Sequence, residues 1–202
     1  KMKIPLVLAS IAFGWFCAYL ALTFTGDAAF SELEQMRLQA LVEVLNIRII
    51  EVLREKLSLI YGGSASASLG RIPYQSYSLS VTLPTGPENV DKVLAATFEE
   101  FERLKREGPL AADLAKVKQN WIQNHRKALR ENGYWLARLQ SALVDGTDPA
   151  AILTHEQRVG ALTPLDVQDA ARRYLNTDNY VQVVLYPEKG TSAKEESPKS
   201  AN

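Results

Sequence analysis

The chain has 202 residues, 47% of them apolar and 23% charged, and its 23 Lys+Arg balance 23 Asp+Glu to a formal net charge of zero. That balance argues against a nucleic-acid binder, which carries a basic excess, while the apolar share is enough for one large domain or two small ones. Cys17 is the single cysteine, so neither an internal disulfide nor a cysteine-based zinc site can form. The local basic cluster of Lys105, Arg106, Lys116, Lys118, Arg126, Lys127 and Arg130 is interrupted by acids and falls on helical faces, which reads as solvated surface.

At the amino end, Lys1-Met2-Lys3 is followed by a stretch without charge until Asp27. Two parses fit it. Residues 4–24 taken as one helix are long enough to meet and span a bilayer. Alternatively, residues 4–16 are a signal-type apolar segment and 18–25 a strand, because Leu20, Leu22 and Phe24 alternate with Ala21, Thr23 and Thr25. The alternation favours the strand and leaves residues 1–16 as an apolar leader or membrane anchor.

Ser31 and Glu34 form an S-x-x-E capping box that opens a long helix running to about Ile60, with Leu33, Met36, Ala40, Leu41, Val44, Leu45, Val52, Leu53 and Leu57 along its apolar stripe. Residues 76–83 read as a half-buried strand, Tyr77, Leu79, Val81 and Leu83 facing one way and Ser76, Ser78, Ser80 and Thr82 the other. A weaker alternation before Pro73 makes 64–83 an antiparallel pair. A helix from Val90 to Gly108-Pro109 follows, then one ending near Asn132-Gly133, one from Trp135 to Gly146, and a short one after Asp148-Pro149. Thr163-Pro164-Leu165-Asp166 is a second capping box opening a helix to Tyr174, and 180–186 is a closing strand. Strands and helices that do not alternate strictly predict an α+β sandwich, a mainly antiparallel sheet packed against several helices.

Chemistry is sparse. His125 and His155 lie thirty residues apart, so no H-E-x-x-H or H-x-x-E-H motif can be written. The segment at His155 opens like the first and fails at Val159, and both histidines are expected on helix surfaces rather than as ligands. No nucleophile elbow, phosphate loop or dinucleotide fingerprint is present. Arg54 and Tyr61 are seven residues apart, two turns of an α-helix, which predicts one polar face at a helix end before Gly62-Gly63. Arg54 there would equally complement the helix dipole, and Tyr61 could cap the core edge.

Five segments, "LREKLSLIYG" (53–62), "SYSLSVTL" (76–83), "ENGYWLARLQSALVDGTDP" (131–149), "LTPLDVQDAARRYL" (162–175) and "NYVQVVLYP" (179–187), together resemble the insulinase-like (pitrilysin-type) zinc metallopeptidases. The likeness is to a carboxy-terminal, non-catalytic domain, with periplasmic bacterial members nearest. It implies a domain over 17–187, and the polar composition of 188–202 reads as a disordered tail. It also implies that this chain binds no zinc, the metal sitting in a separate catalytic half or partner subunit that completes a peptidase. Arg54 and Tyr61 then correspond to a substrate-binding arginine and tyrosine, with no catalytic or metal-binding residue on this chain. A guanidinium offers fixed donors to peptide carbonyls and a phenol can donate to a developing oxyanion. The implied location is the periplasmic side of a bacterial envelope, with any membrane met through residues 4–24. The alternatives are a structural or assembly protein of the same fold without proteolysis, or a membrane-anchored domain.

Overall fold

The structure, a computed structural model, describes residues 17–187. Strand β1 (Ala18–Asp27) follows the period of two read from the sequence: Ala18, Leu20, Leu22 and Phe24 are fully buried and their neighbours are not. It lies inside a four-stranded sheet of order β2-β3-β1-β4, pairing antiparallel with both β3 (Ser76–Thr85) and β4 (Tyr180–Leu185), while β2 (Ser64–Gly70) closes the other edge against β3. A bilayer helix over 4–24 is thereby overturned, because residues 18–24 are committed to the sheet. No helix of the described residues is long and apolar enough to cross a membrane. The leader or anchor assigned to 1–16 and the tail over 188–202 lie outside the described residues.

Helix α1 (Glu32–Arg48) starts where Ser31 predicts, its Oγ accepting the Glu34 amide at 3.1 Å. Only this half of the expected box forms. The Glu34 carboxylate turns away to accept from Arg37 at 2.7 Å, Arg173 at 2.6 Å and the Tyr174 hydroxyl at 2.9 Å, charged donors outcompeting one backbone amide. Burial alone would raise its pKa, but the bonds from Arg37 and Tyr174 and the charge of Arg173 outweigh that and hold it below the usual range. The second box is complete: Thr163 Oγ1 accepts the Asp166 amide and Asp166 accepts the Thr163 amide at 2.8 Å, opening α6 (Pro164–Tyr174). Arg37 reaches Asp166 as well, at 2.7 Å, so α1 and α6 are bound by two carboxylates sharing one guanidinium.

Helix α1 also covers the outer edge of β2. Asn46 accepts the Ala65 amide at 2.7 Å and donates to the Ala65 carbonyl at 3.1 Å, and Gln39 donates to the Ala67 carbonyl at 3.1 Å. Beyond Arg48 the helix widens into a π-helical stretch, Ile49–Lys56, and stops there rather than near Ile60. Its end is drawn off by the sheet. Ser58 turns through φ 52°, Thr85 Oγ1 donates to the Leu59 carbonyl, Ile60 bridges Thr85, and the Tyr61 amide donates to Pro84 at 3.2 Å. Leu33 and Leu57, assigned to the apolar stripe, are 49% and 42% exposed, since one precedes and the other follows the part that faces the sheet.

The remaining helices are α2 (Val90–Glu107), α3 (Ala111–Ala128), α4 (Asn132–Asp145) and α5 (His155–Ala161), the last two joined through a 3₁₀ turn at Pro149–Ile152. Asn132-Gly133, expected to end a helix, begins α4 instead, because Glu131 is extended (φ −105°, ψ 119°) and breaks the run earlier. Gly108 (φ 77°) and Gly146 (φ 64°) end α2 and α4 in backbone conformations that favour glycine. The core lies between the helices and the sheet face of Leu20, Leu22, Phe24, Leu79, Val81 and Leu83, with Phe24 edge-on to Phe101 at 5.7 Å and Tyr77 to Tyr174 at 4.9 Å. The opposite face carries hydroxyl rows, Ser64, Ser66 and Ser68 beside Thr82, Ser80 and Ser78, with Thr23 hydrogen-bonded to Ser80 at 3.1 Å. The expected α+β sandwich is the observed architecture.

Two pairs of substitutions test this packing by denaturant unfolding. Leu79→Ala empties a fully buried site and is expected to cost about 2–5 kcal/mol, whereas Ser78→Ala on the hydroxyl face costs much less. A Cβ at Gly63 would stand 2.9 Å from Leu83 Cδ2 and 3.1 Å from the Thr82 carbonyl oxygen, while Gly62 has nothing within 4 Å. Gly63→Ala is therefore expected to lose about 1–3 kcal/mol and Gly62→Ala to stay within about 0.5 kcal/mol of the parent.

Candidate functional site

Arg54 sits in the last turn of the π-helical stretch and is exposed, and Tyr61 lies beyond the Ser58 turn, 54% exposed. The two-turn stacking expected for them does not occur. An i→i+5 helix has a wider turn than an α-helix, and the helix has already ended at Lys56. What brings Tyr61 to its place is the sheet: its amide is bonded to Pro84, opposite Tyr19 at the amino-terminal end of β1. Both side chains thus belong to the segment that links the end of the π-helical stretch to β2, but by tertiary pairing and not by helical period.

A second constellation escaped the sequence reading. Helices α1, α3 and α4 and the 149–158 segment enclose a cavity of about 430 Å³. His125, expected on a helix surface, is only 6% exposed, with Nδ1 2.9 Å from the Tyr134 hydroxyl and its ring 4.6 Å from that of His155. Arg138 lies over the Tyr134 ring at 5.5 Å and donates from Nε to the Tyr134 hydroxyl at 3.4 Å. The Tyr134 hydroxyl thus stands between the His125 ring nitrogen and the Arg138 guanidinium, in hydrogen-bond reach of both. Burial, then the neighbouring charges of His125, Arg138 and Arg158, depress the His155 pKa to about 4, and burial also lowers that of His125. Arg158 spends its terminal nitrogens on Glu32 at 2.6 Å and the Ala151 carbonyl at 2.7 Å, leaving Nε buried without a partner. Neither helical periodicity nor a short motif joins these residues, because the turn at residues 129–131 separates His125 from Tyr134 and the 3₁₀ turn at Pro149–Ile152 separates α4 from His155.

The donor set does not fit a catalytic zinc, which takes three protein ligands. His125 and His155 supply two imidazoles, and among the described residues no group of three or more His, Cys, Asp or Glu is placed to hold a metal ion.

The histidine pair makes stability depend on pH. His155 titrates near 6.5 in the unfolded chain and at about 4 in the fold. Between those values the unfolded state binds more protons, so the stabilisation is complete above about pH 6.5 and is lost as pH falls toward 4. His155→Phe is expected to flatten the fall of the melting temperature between pH 6.5 and 5, above the range where carboxylates dominate. A slope identical to the parent's in that window would contradict the burial of this ring.

Residues 17–120 match the family described as the Peptidase M16 inactive domain. An Arabidopsis thaliana protein described as zinc protease PQQL-like is 29% identical over 163 residues, covering 73% of this chain and 17% of its own. Among solved structures, the periplasmic protease PqqL from Escherichia coli superposes with a TM-score of 0.74 at 22% identity, over 85% of this chain and 19% of that one. The peptidase M16 inactive domain from Pseudomonas fluorescens does so with a TM-score of 0.68 at 19% identity, over 85% of this chain and 41% of that one. The chain thus spans less than a fifth of the length of the Arabidopsis and Escherichia coli proteins. Because that family match takes in more than half of the chain, the chain belongs to the inactive-domain family of the M16, insulinase-like zinc proteases.

Proposed function

We infer that this chain is the substrate-contacting, non-catalytic domain of a zinc metalloendopeptidase that degrades peptides, and that it works with a zinc-bearing half or partner subunit of the same family. The observation that carries this reading is the exposed Arg54 and Tyr61, one in the last turn of a π-helical stretch and the other just beyond it. Such departures from α-helical geometry are frequent at functional sites. Gly62 and Gly63 follow directly, and Gly63 approaches the Leu83 side chain and the Thr82 carbonyl of β3 too closely for a larger residue, which fixes the course of the segment there. The functional unit is residues 17–187, and zinc belongs to the partner. The location is the periplasmic side of a bacterial envelope, a reading supported by the description of the Escherichia coli structural relative as a periplasmic protease.

In this reading the Arg54 guanidinium holds peptide carbonyls with its planar set of donors, and the Tyr61 hydroxyl donates to the oxygen on which negative charge grows during attack. Donors of that kind act by binding the transition state more tightly than the substrate. The reaction itself belongs to the zinc-bearing half.

In the assembled enzyme, Arg54→Ala and Tyr61→Phe are each expected to lower turnover, by less than the roughly 10²–10³-fold seen when a sole oxyanion donor is removed, because zinc shares the load. Arg54→Lys should recover little, since lysine keeps the charge and loses the fork. Melting curves should stay close to the parent, both side chains being exposed. Unchanged kcat/KM in both Arg54→Ala and Tyr61→Phe would leave them as helix-end residues and favour a structural role for the domain.

A further inference from the structure

The geometry points to a second binding site on this chain, the cavity between α1, α3, α4 and the 149–158 segment, and to an aromatic carboxylate as its ligand. This inference is independent of the peptidase reading. Tyr61 is bonded to Pro84, at the Ala18 end of β1, whereas the cavity is reached past the Asp27 end, where Phe30 and Glu32 enter its wall. The two places are at opposite ends of one strand.

Size comes first. About 430 Å³ falls within the roughly 300–1,000 Å³ of small-molecule sites. The walls then choose the chemistry. Trp121, Tyr134, His125 and His155 all contribute ring surface, and Met36 and Ile152 add apolar area. The His125 and His155 rings stand 4.6 Å apart, tilted 38° to each other, and burial lowers the pKa of both, so the pair offers uncharged ring surface to another aromatic ring.

Charge supplies the second half of the ligand. Of the two guanidinium groups at the cavity, Arg158 is consumed by Glu32 and the Ala151 carbonyl. Arg138 is different. Its Nε is bonded to the Tyr134 hydroxyl and its Cζ lies 5.5 Å from the Tyr134 ring centroid, while its terminal nitrogens have no hydrogen-bond or ion-pair partner among the described residues. The two contacts with one side chain restrict the orientation of the group, which lowers the entropy lost when it binds. A guanidinium fixed by Nε with both terminal nitrogens open is the arrangement that receives a carboxylate bidentately. The carboxylates on the same wall do not take that place: Asp148 accepts the Ala150 amide at 2.9 Å, Asp145 accepts from Ser141 at 3.3 Å, and Glu43 has no ion pair with Arg138. The ligand therefore places its ring against the histidine pair and its carboxylate on Arg138.

Such a group occurs at the end of a peptide finishing in an aromatic residue and in a free aromatic amino acid. Titration of the full chain at pH 7.5 with N-acetylphenylalanine, followed by calorimetry and by the histidine imidazole resonances, is expected to give saturable binding that moves the His125 and His155 signals. N-acetylphenylalaninamide should bind at least tenfold more weakly, and acetate should not saturate. Arg138→Gln, a change at an exposed position, should leave the melting temperature unaltered and reduce the acid to the affinity of the amide. His155→Ala should weaken acid and amide alike. Phenylalanine itself, within threefold of the acetylated acid, would assign the site to the free amino acid; more than tenfold weaker, to a peptide terminus. Equal affinity for acid and amide, an Arg138→Gln chain that binds like the parent, or no binding at millimolar acid would each overturn the proposal.

Discussion

A sheet edge left open must be closed by something, and in this fold α1 closes it. By giving Asn46 and Gln39 to the backbone of β2, the helix substitutes side-chain amides for the strand that is missing there. The amides also fix how α1 lies across the sheet, and the rest follows from that placement. Its buried residues, among them Leu38, Leu41 and Leu45, come down on the apolar face of β1 and β3. Its amino end meets α6, where Glu34 and Arg37 join Asp166, Arg173 and Tyr174. Its carboxyl end overshoots the sheet and has to turn back, through the π-helical stretch and Ser58, before β2 can begin.

That return explains where sequence reasoning worked and where it failed. Period-two alternation placed β1 and β3 nearly to the residue, because every second side chain is pressed into one core and a shift by one would bury the hydroxyls. The Thr163–Asp166 box was equally legible, being wholly local. The end of α1 was not, since it is set by Thr85 and Pro84, residues more than twenty positions away that capture Leu59 and Tyr61. Glu34 shows the same competition on a smaller scale: the local motif asks for its carboxylate at Ser31, and the tertiary structure offers two guanidinium groups and a phenol instead. The stacking assumed for Arg54 and Tyr61 failed for this reason too, although both residues end up exposed in the segment the motif picked out.

The histidines mark a different limit. Each sits on a helix with ordinary polar neighbours, and a solvent position is the sound reading of either one alone. The burial of His125 is created by α4, which closes over α3 and brings Tyr134 to it. Nothing local in the sequence announces that closure.

Helix α4 is itself the least committed part of the fold. Ala142 is its one buried residue, and its fixings are the Trp135 indole on the Leu129 carbonyl, Arg71 on the Asp145 carbonyl, and the glycine turn at Gly146. Leu136, Leu139 and Leu143 point outward, with Leu143 85% exposed. A helix that buries so little contributes little of the hydrophobic stabilisation that holds α1 and α2, so its opening free energy lies toward the low end for this domain. Yet it forms one wall of the cavity and carries both Tyr134 and Arg138. The contact between His125 and Tyr134 is therefore more than a detail of the wall: in place of apolar burial, it is a directed polar contact that registers α4 against α3. Contacts of that kind depend on protonation. Charging His125 would place a cation near Arg138 at the point where α4 has least else to hold it, so the two like charges oppose each other across the seam between the helices.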